Sequence, residues 1–431
     1  MKKRMYTGAG VSVLIAIVAL VASVSGAVAR SGATPLPASS CSAIQNAGGN
    51  LLIASDLPLQ GSGRTQTSQM TRAIKFIFAQ HGWKAGKYSI AYQSCDDATA
   101  QAGKWDSGKA SANANAYAQN SSVVGVIGTF NSGAAEIEIP ILNRAPNGPI
   151  AMVSPANTYV GLTHGGPGTA AGEPGKYYPT GKRNYARVVA ADDYQGAADA
   201  ILAKSLGIKK VFILNDKEAY GLGVATNFKN AAKKLGLSIV GFTAWDGKAS
   251  SYEALAVKIK ASGAQGVFVG GLICENGGKV VKDIAAGAPG VKILMPDGFT
   301  PISATVQQAG SAAEGTYVSV AGLPNAALKG AGAKFIKDFT KADKKAPDPY
   351  SVYAAQAAEA MVGAIAQSNG TRSDVAKQLF KIKLTNSILG TLSFNANGDV
   401  TANPVTIYQV KGGKSTTLRV IVPPKSLVKA A

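Results

Sequence analysis

Short apolar runs alternate with helical segments along most of the chain. Nine runs are rich in apolar and β-branched residues: Leu51–Leu57, Tyr88–Gln93, Val123–Ile127, Pro149–Val153, Val211–Leu214, Ile239–Thr243, Gly266–Val269, Val291–Met295 and Tyr317–Val320. Between them apolar residues recur at helical spacing, as at Met70, Ile74 and Ile77. Strands this short and apolar are covered on both faces, which indicates parallel sheets with crossover helices. Because nine strands exceed one comfortable sheet, the pattern predicts an α/β protein with two doubly wound parallel-sheet lobes.

The pattern changes after about residue 320. A break at Leu323-Pro324 is followed by three segments with helical spacing, over Ala331–Ala342, Ser351–Ser368 and Ser373–Ile382. These segments predict a block of helices rather than further strand–helix alternation.

Two other stretches depart from the alternation. Gly390–Val410 contains Asn397-Gly398, a type I′ turn signal, and we predict a hairpin there with Lys414–Val422 as an added edge strand. His164–Arg183 is rich in Gly, Pro, Lys and Tyr and has no period. We predict a loop in that stretch, and loops of this length are usually functional or mobile.

The first 29 residues have the pattern of a secretory signal peptide. A basic start at Lys2–Arg4 precedes the apolar stretch Val11–Ala22, and Ala27-Val28-Ala29 is a small-residue cleavage site. We predict cleavage after Ala29 and an exported protein, located in the periplasm or on the outer face of the cell membrane. An uncleaved membrane anchor and lipidation at Cys41 are the alternatives.

The charge balance is basic but dispersed. The chain has 44 Lys and Arg against 24 Asp and Glu, a formal net charge of +20. These cations stand singly or in pairs, without a basic block interleaved with aromatic residues, so we predict no nucleic-acid partner. Three Cys and two His leave no basis for a multi-cysteine or histidine-based centre. We therefore predict no cofactor and no metal.

The sequence contains no complete catalytic motif. His164-Gly165-Gly166-Pro167-Gly168 matches an oxyanion-loop string of some serine hydrolases, but the chain has no G-x-S-x-G elbow. The adjacent acidic pairs Asp96-Asp97 and Asp192-Asp193 point in diverging directions, and we interpret them as caps or turn residues. We predict that the protein is not an enzyme, with a secreted hydrolase as the remaining alternative.

Polar loops follow many of the predicted strands. Ligands of parallel α/β sheets bind beyond the carboxyl ends of the strands. Those ends carry residues 58–64, 128–133, 154–159, 215–221, 271–276 and 296–299. Hydroxyl groups and free amides at helix starts suit a carboxylate, and an aspartate at a strand end suits an ammonium group. For any single loop, helix capping and turn chemistry are the competing explanation.

These loops lie within strings that resemble one known family. They read I-A-S-D-L-P-L-Q-G (53–61), Y-Q-S-C-D-D (92–97), V-V-G-V-I-G (123–128), M-V-S-P-A-N-T (152–158), N-D-K-E-A-Y-G-L-G (215–223), M-P-D-G-F (295–299) and A-A-E-G-T-Y-V-S (312–319). In this order they resemble the type I periplasmic-binding-protein family, in particular its leucine/isoleucine/valine-binding branch of ABC-transporter solute receptors. The resemblance covers nearly all of residues 50–410.

The resemblance implies two lobes joined by a three-crossing hinge, with crossings near Ala190, Gly322 and Val400. Lobe 1 would comprise residues 41–189 plus 323–399, and lobe 2 residues 190–322 plus 400–431. A small ligand would bind in the cleft as the hinge closes, and the closed form would dock on an ABC-transporter permease. We expect an amino acid or related amide as ligand, and a monomeric receptor. A ligand-sensing module for a signalling partner is the alternative.

The resemblance also implies roles for individual residues. Ser132, Ala156 and Thr158 would hold an α-carboxylate and Asp297 an α-ammonium group. Tyr220, Cys274 and Glu275 would lie on the lobe 2 side, and Phe130 and Phe299 would shape the side-chain pocket. Gln60, Asn131 and Asn157, from the strand-end loops, complete the predicted ligand-binding set.

Two features depart from the family pattern. The family often has an aromatic residue near position 274, where this chain has Cys274 and Glu275. Glu275 would add a second carboxylate beside Asp297, which would favour a cationic or amide-bearing ligand. Cys95 often pairs with a cysteine that this chain lacks. Cys41 is then the available partner, which leaves Cys274 as a free thiol.

Overall fold

The computed structural model describes residues 32–428. The strands are β1 (Leu51–Leu57), β2 (Lys84–Ala85), β3 (Tyr88–Asp96), β4 (Ala98–Thr99), β5 (Lys104–Trp105), β6 (Val123–Gly128), β7 (Ala151–Ser154), β8 (Tyr185–Arg187), β9 (Lys210–Asn215), β10 (Ser238–Ala244), β11 (Gly266–Gly270), β12 (Lys292–Met295), β13 (Tyr317–Ala321), β14 (Lys383–Ser387), β15 (Gly390–Ser393), β16 (Val405–Lys411) and β17 (Lys414–Ile421). The helices are α1 (Arg64–Gln80), α2 (Ser107–Gln119), α3 (Ser132–Asn143), α4 (Asp192–Ser205), α5 (Ala219–Lys234), α6 (Glu253–Ala261), α7 (Gly278–Gly287), α8 (Ile302–Ala309), α9 (Ala331–Asp343), α10 (Pro349–Ala366), α11 (Arg372–Leu379) and α12 (Lys425–Val428).

Two large sheets organise these elements. The first has the strand order β2-β3-β1-β6-β7-β8, and its strands are parallel except for β2. The second has the order β10-β9-β11-β12-β13-β16-β17, parallel through β13 and antiparallel at β16 and β17. We call each sheet with the helices packed on it a lobe. The predicted fold class is confirmed, while the residue-level lobe boundaries stay a prediction.

Helices cover both faces of each sheet. On the first sheet, α1, α10 and α11 share one hydrophobic core, and α2 and α3 share the other. On the second sheet, α4 and α5 pack on one face and α6 to α8 on the other. This coverage explains why the central strands, such as β1, β6 and β11, are apolar on both sides instead of alternating.

Strand register brings the polar loops of lobe 1 to one edge. In the parallel ladder, Asp56 of β1 stands opposite Cys95 of β3 and Gly128 of β6. The loops after these three strands therefore leave the sheet side by side. The same holds in lobe 2, where Gly270 of β11 stands opposite Asn215 of β9.

The chain passes between the lobes along neighbouring paths. Residues 188–190, 322–323 and 400–404 line one small cavity, together with residues of α10 and β15. At Gly322 the backbone φ is +139°, and a Cβ placed there would lie 1.8 Å from the hydroxyl oxygen of Tyr353. That hydroxyl accepts a hydrogen bond of 2.7 Å from the backbone N–H of the next residue. Only glycine fits this crossing.

The secondary-structure predictions divide clearly into successes and one error. Strands occur at all nine predicted runs, and α9, α10 and α11 occupy the predicted helical block. The prediction of a hairpin over Gly390–Val410 is wrong. β15 pairs with β14 in a small separate sheet, whereas β16 lies between β13 and β17 in the second sheet. Near the Asn397-Gly398 turn only an isolated bridge joins Phe394 to Val400, because the two arms belong to different lobes.

The cysteines form the pair that the resemblance implied. The sulfur atoms of Cys41 and Cys95 are 2.06 Å apart, and Cys274 is a free thiol. The bond ties the segment before β1 to the end of β3. The predicted signal peptide lies outside the described residues. Within residues 32–428, no helix has both the length and the apolar character needed to cross a membrane.

Candidate functional site

A cavity lies between the two lobes, where the carboxyl ends of the two sheets face each other. It is lined by Phe130, Asn131, Ser132, Ala156, Thr158, Tyr220, Leu272, Asp297 and Gly298. Seven of these nine belong to the predicted binding set. An adjoining cavity shares Phe130, Asn131, Leu272 and Gly298 with it.

Lobe 1 contributes a neutral wall of hydroxyl and amide groups. Ser132 is the first residue of α3, so its backbone N–H is one of the amides without a partner inside the helix. Its hydroxyl accepts a hydrogen bond of 3.3 Å from the N–H of Tyr159. The hydroxyl of Thr158 is buried and has no hydrogen-bond partner among the described residues. The N–H of Ala156 instead donates to Ser154 at 3.1 Å, so Ala156 offers its surface more than its amide.

Lobe 2 contributes a buried carboxylate. Asp297 follows β12 and accepts a hydrogen bond of 2.5 Å from the hydroxyl of Tyr220, also of lobe 2. A second hydroxyl, that of Tyr350 on α10 of lobe 1, donates to its other oxygen. Burial raises the pKa of Asp297, and the two tyrosine hydroxyls act in the opposite direction. Asp297 therefore joins the two lobes at the base of the cavity.

A second buried carboxylate stands near Asp297. Asp192 begins α4, is fully buried, and neither of its side-chain oxygens has a partner among the described residues. Burial and the charge of Asp297 raise the pKa of Asp192 well above its ordinary value. Its backbone N–H donates to the carbonyl of Thr158 at 2.8 Å, which fixes it against the neutral wall.

The mouth of the cleft contains an ion-pair bridge between the lobes. Lys104 of lobe 1 contacts Glu275 and lies 3.2 Å from Glu218, both of lobe 2. The adjoining cavity there is lined by Gln60, Lys104 and Cys274, together with apolar side chains that include Trp105 and Ile273. The Glu275 charge is thus met by Lys104 and is not available to a ligand in the way the sequence suggested.

Three predicted residues do not line either cavity. Asn157 lies behind the wall, where its amide donates to the carbonyl of Phe130 at 3.0 Å. Phe299 is fully buried in the core of lobe 2. Glu275 takes part only through the bridge at the mouth. The remaining predicted residues surround the two cavities.

Sequence reasoning missed four residues of the cleft: Asp192, Tyr350, Lys104 and Leu272. Asp192 was interpreted as a cap because it forms an adjacent pair with Asp193. The strand before it, β8, is only three residues long and gives no hydrophobic run that would mark a strand end. Lys104 belongs to β5, and a strand of two residues is too short to be recognised from the sequence pattern. Tyr350 reaches the site from a helix, where the strand-end rule does not apply. Leu272 stands in a loop that was recognised, but as an apolar residue it gave no signal.

His164, the residue of the hydrolase alternative, is held in a structural network. Its ring nitrogens lie 3.0 Å from a carboxylate oxygen of Asp399 and 3.2 Å from one of Asp193. Burial lowers its basicity, but these carboxylates outweigh burial and raise the pKa of His164 to about 9. A cationic imidazole is a poor general base, so the network does not resemble a hydrolase site.

The cavity as a whole suits a zwitterion. One wall offers hydroxyl groups and a helix N-terminus, which stabilise a carboxylate. The other offers the carboxylate of Asp297, with the Asp192 carboxylate buried near it, and these charges would stabilise an ammonium group. Among the described residues, those that line the cavity between the lobes include no Lys or Arg. Such a site can bind and orient a small molecule.

This two-lobed α/β fold with a cleft between its sheets defines a solute-binding class of protein. The family model described as "Periplasmic binding protein" matches residues 53–415. The chain belongs to this family, as the sequence resemblance indicated.

Several relatives are similar over most of the chain. Leu/Ile/Val-binding protein homolog 2 of Brucella abortus (strain 2308) is 25% identical over 371 residues, 85% of this chain and 91% of that protein. Among solved structures, leucine-binding protein LivK of Thermotoga maritima MSB8 superposes with a TM-score of 0.75 at 21% identity, covering 86% of this chain and 99% of that one. LivJ of Streptococcus pneumoniae, in complex with isoleucine, gives 0.73 at 18% identity, with 87% and 100% covered.

Proposed function

We propose that this protein is the exported solute-binding receptor of an ABC importer and that it captures an α-amino acid in the interlobe cleft. The observation that supports this most is the pairing of a neutral, carboxylate-binding wall on lobe 1 with buried Asp192 and Asp297 on lobe 2. Hinge closure would bring the two walls onto the two charged ends of one ligand. The names of the Leu/Ile/Val-binding relative and of the LivJ structure, a transporter substrate-binding protein in complex with isoleucine, agree with an amino-acid ligand.

An apolar ligand side chain fits better than the cationic or amide-bearing one that the sequence favoured. Glu275 is neutralised by Lys104. The adjoining cavity, into which a side chain would extend, is lined by Phe130, Leu272 and Ile273. A hydrophobic side chain would gain there by leaving water, whereas a charged one would lose its hydration.

The test is a thermal-shift and calorimetric screen with leucine, isoleucine, glutamine and lysine. We expect leucine or isoleucine to raise the melting temperature in a concentration-dependent way, because a ligand that binds only the folded state stabilises it. Asp297→Asn should weaken binding by about ten- to a hundredfold, since hydrogen bonds to charged groups contribute about 1.5–3 kcal/mol.

Asp338→Asn is the matched control, because its carboxylate pairs with an exposed lysine far from the cleft. It should bind like the unaltered protein. Equal affinity of the Asp297→Asn and Asp338→Asn variants would place the ammonium site elsewhere. Absence of a shift with every amino acid would contradict the proposed ligand class.

A further inference from the structure

A second group of buried acids lies inside lobe 1, outside the cleft. Asp56 of β1, Asp97 just after β3 and Glu138 of α3 are each fully buried. One carboxylate oxygen from each lies within 4.8 Å of the others. The three residues come from different elements, so chain proximity does not explain the grouping. We call them the lobe 1 carboxylate cluster.

The fold supplies little to balance this cluster. The side-chain amide of Asn113 donates to both oxygens of Asp56, at 3.0 and 3.2 Å. All four carboxylate oxygens of Asp97 and Glu138 lack a hydrogen-bond partner among the described residues. No lysine or arginine in that part of the chain forms an ion pair with any of the three acids. Buried charges without partners are strongly unfavourable, so something must neutralise them.

A further oxygen points into the same place. The Tyr117 side chain of α2 is fully buried and its hydroxyl has no hydrogen-bond partner among the described residues. Its charged neighbours are the Asp56 and Glu138 carboxylates of the cluster. The Tyr117 hydroxyl is neutral at ordinary pH. Its position is therefore an observation separate from the grouping of the three carboxylates. A neutral oxygen and three carboxylates converge on one interior point.

We propose that the lobe 1 carboxylate cluster is a structural binding site for a hard divalent cation, best suited to Ca²⁺. Calcium binds carboxylate, hydroxyl and carbonyl oxygens at about 2.3–2.6 Å, so two oxygens on one ion are at most about 5 Å apart. The cluster meets that limit. Magnesium demands near-octahedral geometry and keeps several waters, which an interior site of fixed side chains suits less well. Zinc sites use Cys or His, which are absent from the cluster.

The site would brace the lobe 1 wall of the cleft. Glu138 belongs to α3, whose first residue is Ser132 in the cavity lining. Next to Asp97, the side chain of Asp96 accepts hydrogen bonds from the N–H of Leu59 and from the amide of Gln60, both at 2.8 Å. An ion joining β1, α3 and the end of β3 would fix these elements relative to one another without touching the ligand. The proposal does not rest on the proposed function.

The experiment uses the full exported chain, stripped with EDTA and desalted, without any amino-acid ligand. CaCl₂ or MgCl₂ is titrated at constant ionic strength while melting temperature and heat are recorded. We expect one calcium ion per chain and a melting temperature that rises by several degrees with the logarithm of free calcium, with a smaller response to magnesium.

The double variant Asp97→Asn, Glu138→Gln keeps the side-chain volumes and removes two charges. It should lose the calcium response, while its melting temperature in EDTA should equal or exceed that of the stripped unaltered protein, since two uncompensated acids are gone. Asp338→Asn should retain the full response. Together, the calcium response and the melting temperature in EDTA of the double variant distinguish loss of the site from loss of folding.

Two results would overturn the proposal. One is a stripped protein that takes up no calcium by calorimetry or elemental analysis and shows no thermal shift, which would mean that the acids are neutralised by protons. The other is a calcium response that survives in the double variant, which would place the ion elsewhere. A failure of amino-acid binding would affect neither reading.

Discussion

Two buried aspartates, Asp399 beside the hinge and Asp192 in the cleft, differ in what surrounds them. Asp399 accepts hydrogen bonds of 2.8 Å from both Arg187 and Thr163, and its other oxygen lies 3.0 Å from His164. Although burial opposes it, the Arg187 guanidinium holds the pKa of Asp399 well below its usual range. Asp192 forms no ion pair among the described residues, and burial raises its pKa although the Thr158 hydroxyl acts in the opposite direction.

The difference separates structural acids from binding acids. The fold provides Asp399 with its own cations, so its charge belongs to the architecture. It leaves Asp192 without a cation, and also places Asp297 nearby with tyrosine partners only. An uncompensated buried carboxylate is unfavourable in the free protein, and this cost is relieved when a ligand brings a positive charge. The lobe 1 carboxylate cluster obeys the same rule, with a metal ion in place of the ammonium group.

The largest expected effect comes from removing the cation beside the structural acid. Arg187→Met should lower the free energy of unfolding by about 3–5 kcal/mol, because breaking a buried pair leaves an uncompensated charge. Urea denaturation measures it. Arg72→Met is the control: its partner is Asp343, but Arg72 is half exposed, so it should cost less than about 1 kcal/mol. Similar losses in both variants would remove the basis of the comparison.

A smaller effect is expected from neutralising the binding acid. Asp192→Asn should weaken amino-acid affinity by about tenfold, or about 1.4 kcal/mol, and should leave the free protein at least as stable, because an uncompensated charge is removed. Calorimetry and urea denaturation together test both halves. The control Asp338→Asn, whose carboxylate pairs with the exposed Lys334, should leave affinity unchanged and change stability little. A variant that is destabilised and still binds fully would make Asp192 a structural acid like Asp399.

The smallest expected effect is a pH dependence at the hinge. His164 has a pKa raised to about 9 in the folded protein, against about 6.5 unfolded. Its stabilising contribution is therefore complete below about pH 6.5 and is lost as pH rises through about 9. The difference in unfolding free energy between the unaltered protein and His164→Gln should shrink over this interval by on the order of 1 kcal/mol, because solvent reaches His164 and screens its ion pairs.

His81→Gln is the control for this profile. His81 lies 3.8 Å from Glu359, and both side chains are partly exposed, so its contribution should be small at every pH. If the His164→Gln difference stays constant between about pH 6 and pH 10, protonated His164 does not stabilise the hinge.

Most of the fold followed from local pattern. The nine apolar runs all fall on strands of the two large sheets, because strands covered on both faces are continuously hydrophobic. The short strands β5 and β8 escaped, since two or three residues cannot show a period. The hairpin over Gly390–Val410 failed for a different reason. The turn signal is local, but whether its arms pair depends on the lobe to which each arm belongs.

The site was predicted as far as loops could reveal it. Ser132, Thr158, Tyr220 and Asp297 stand in strand-end loops, and the structure brings them around one cavity. Tyr350 comes from a helix more than fifty residues after Asp297, and no local signal marks it. Phe299 was misjudged as a lining candidate because the direction of a side chain depends on backbone geometry that composition does not reveal.

The sequence by itself determined the alternation of strands and helices, the family and the loops that hold polar groups, because these depend on short-range periodicity and motif order. Only the tertiary structure decided which acids have cations. Asp399 and Asp192 are the same residue type in similarly buried positions, and each gained or lacked a partner through residues that are distant along the chain. Electrostatic neutralisation is a property of three-dimensional neighbours, so the functional acids became distinguishable only once the lobes were in place.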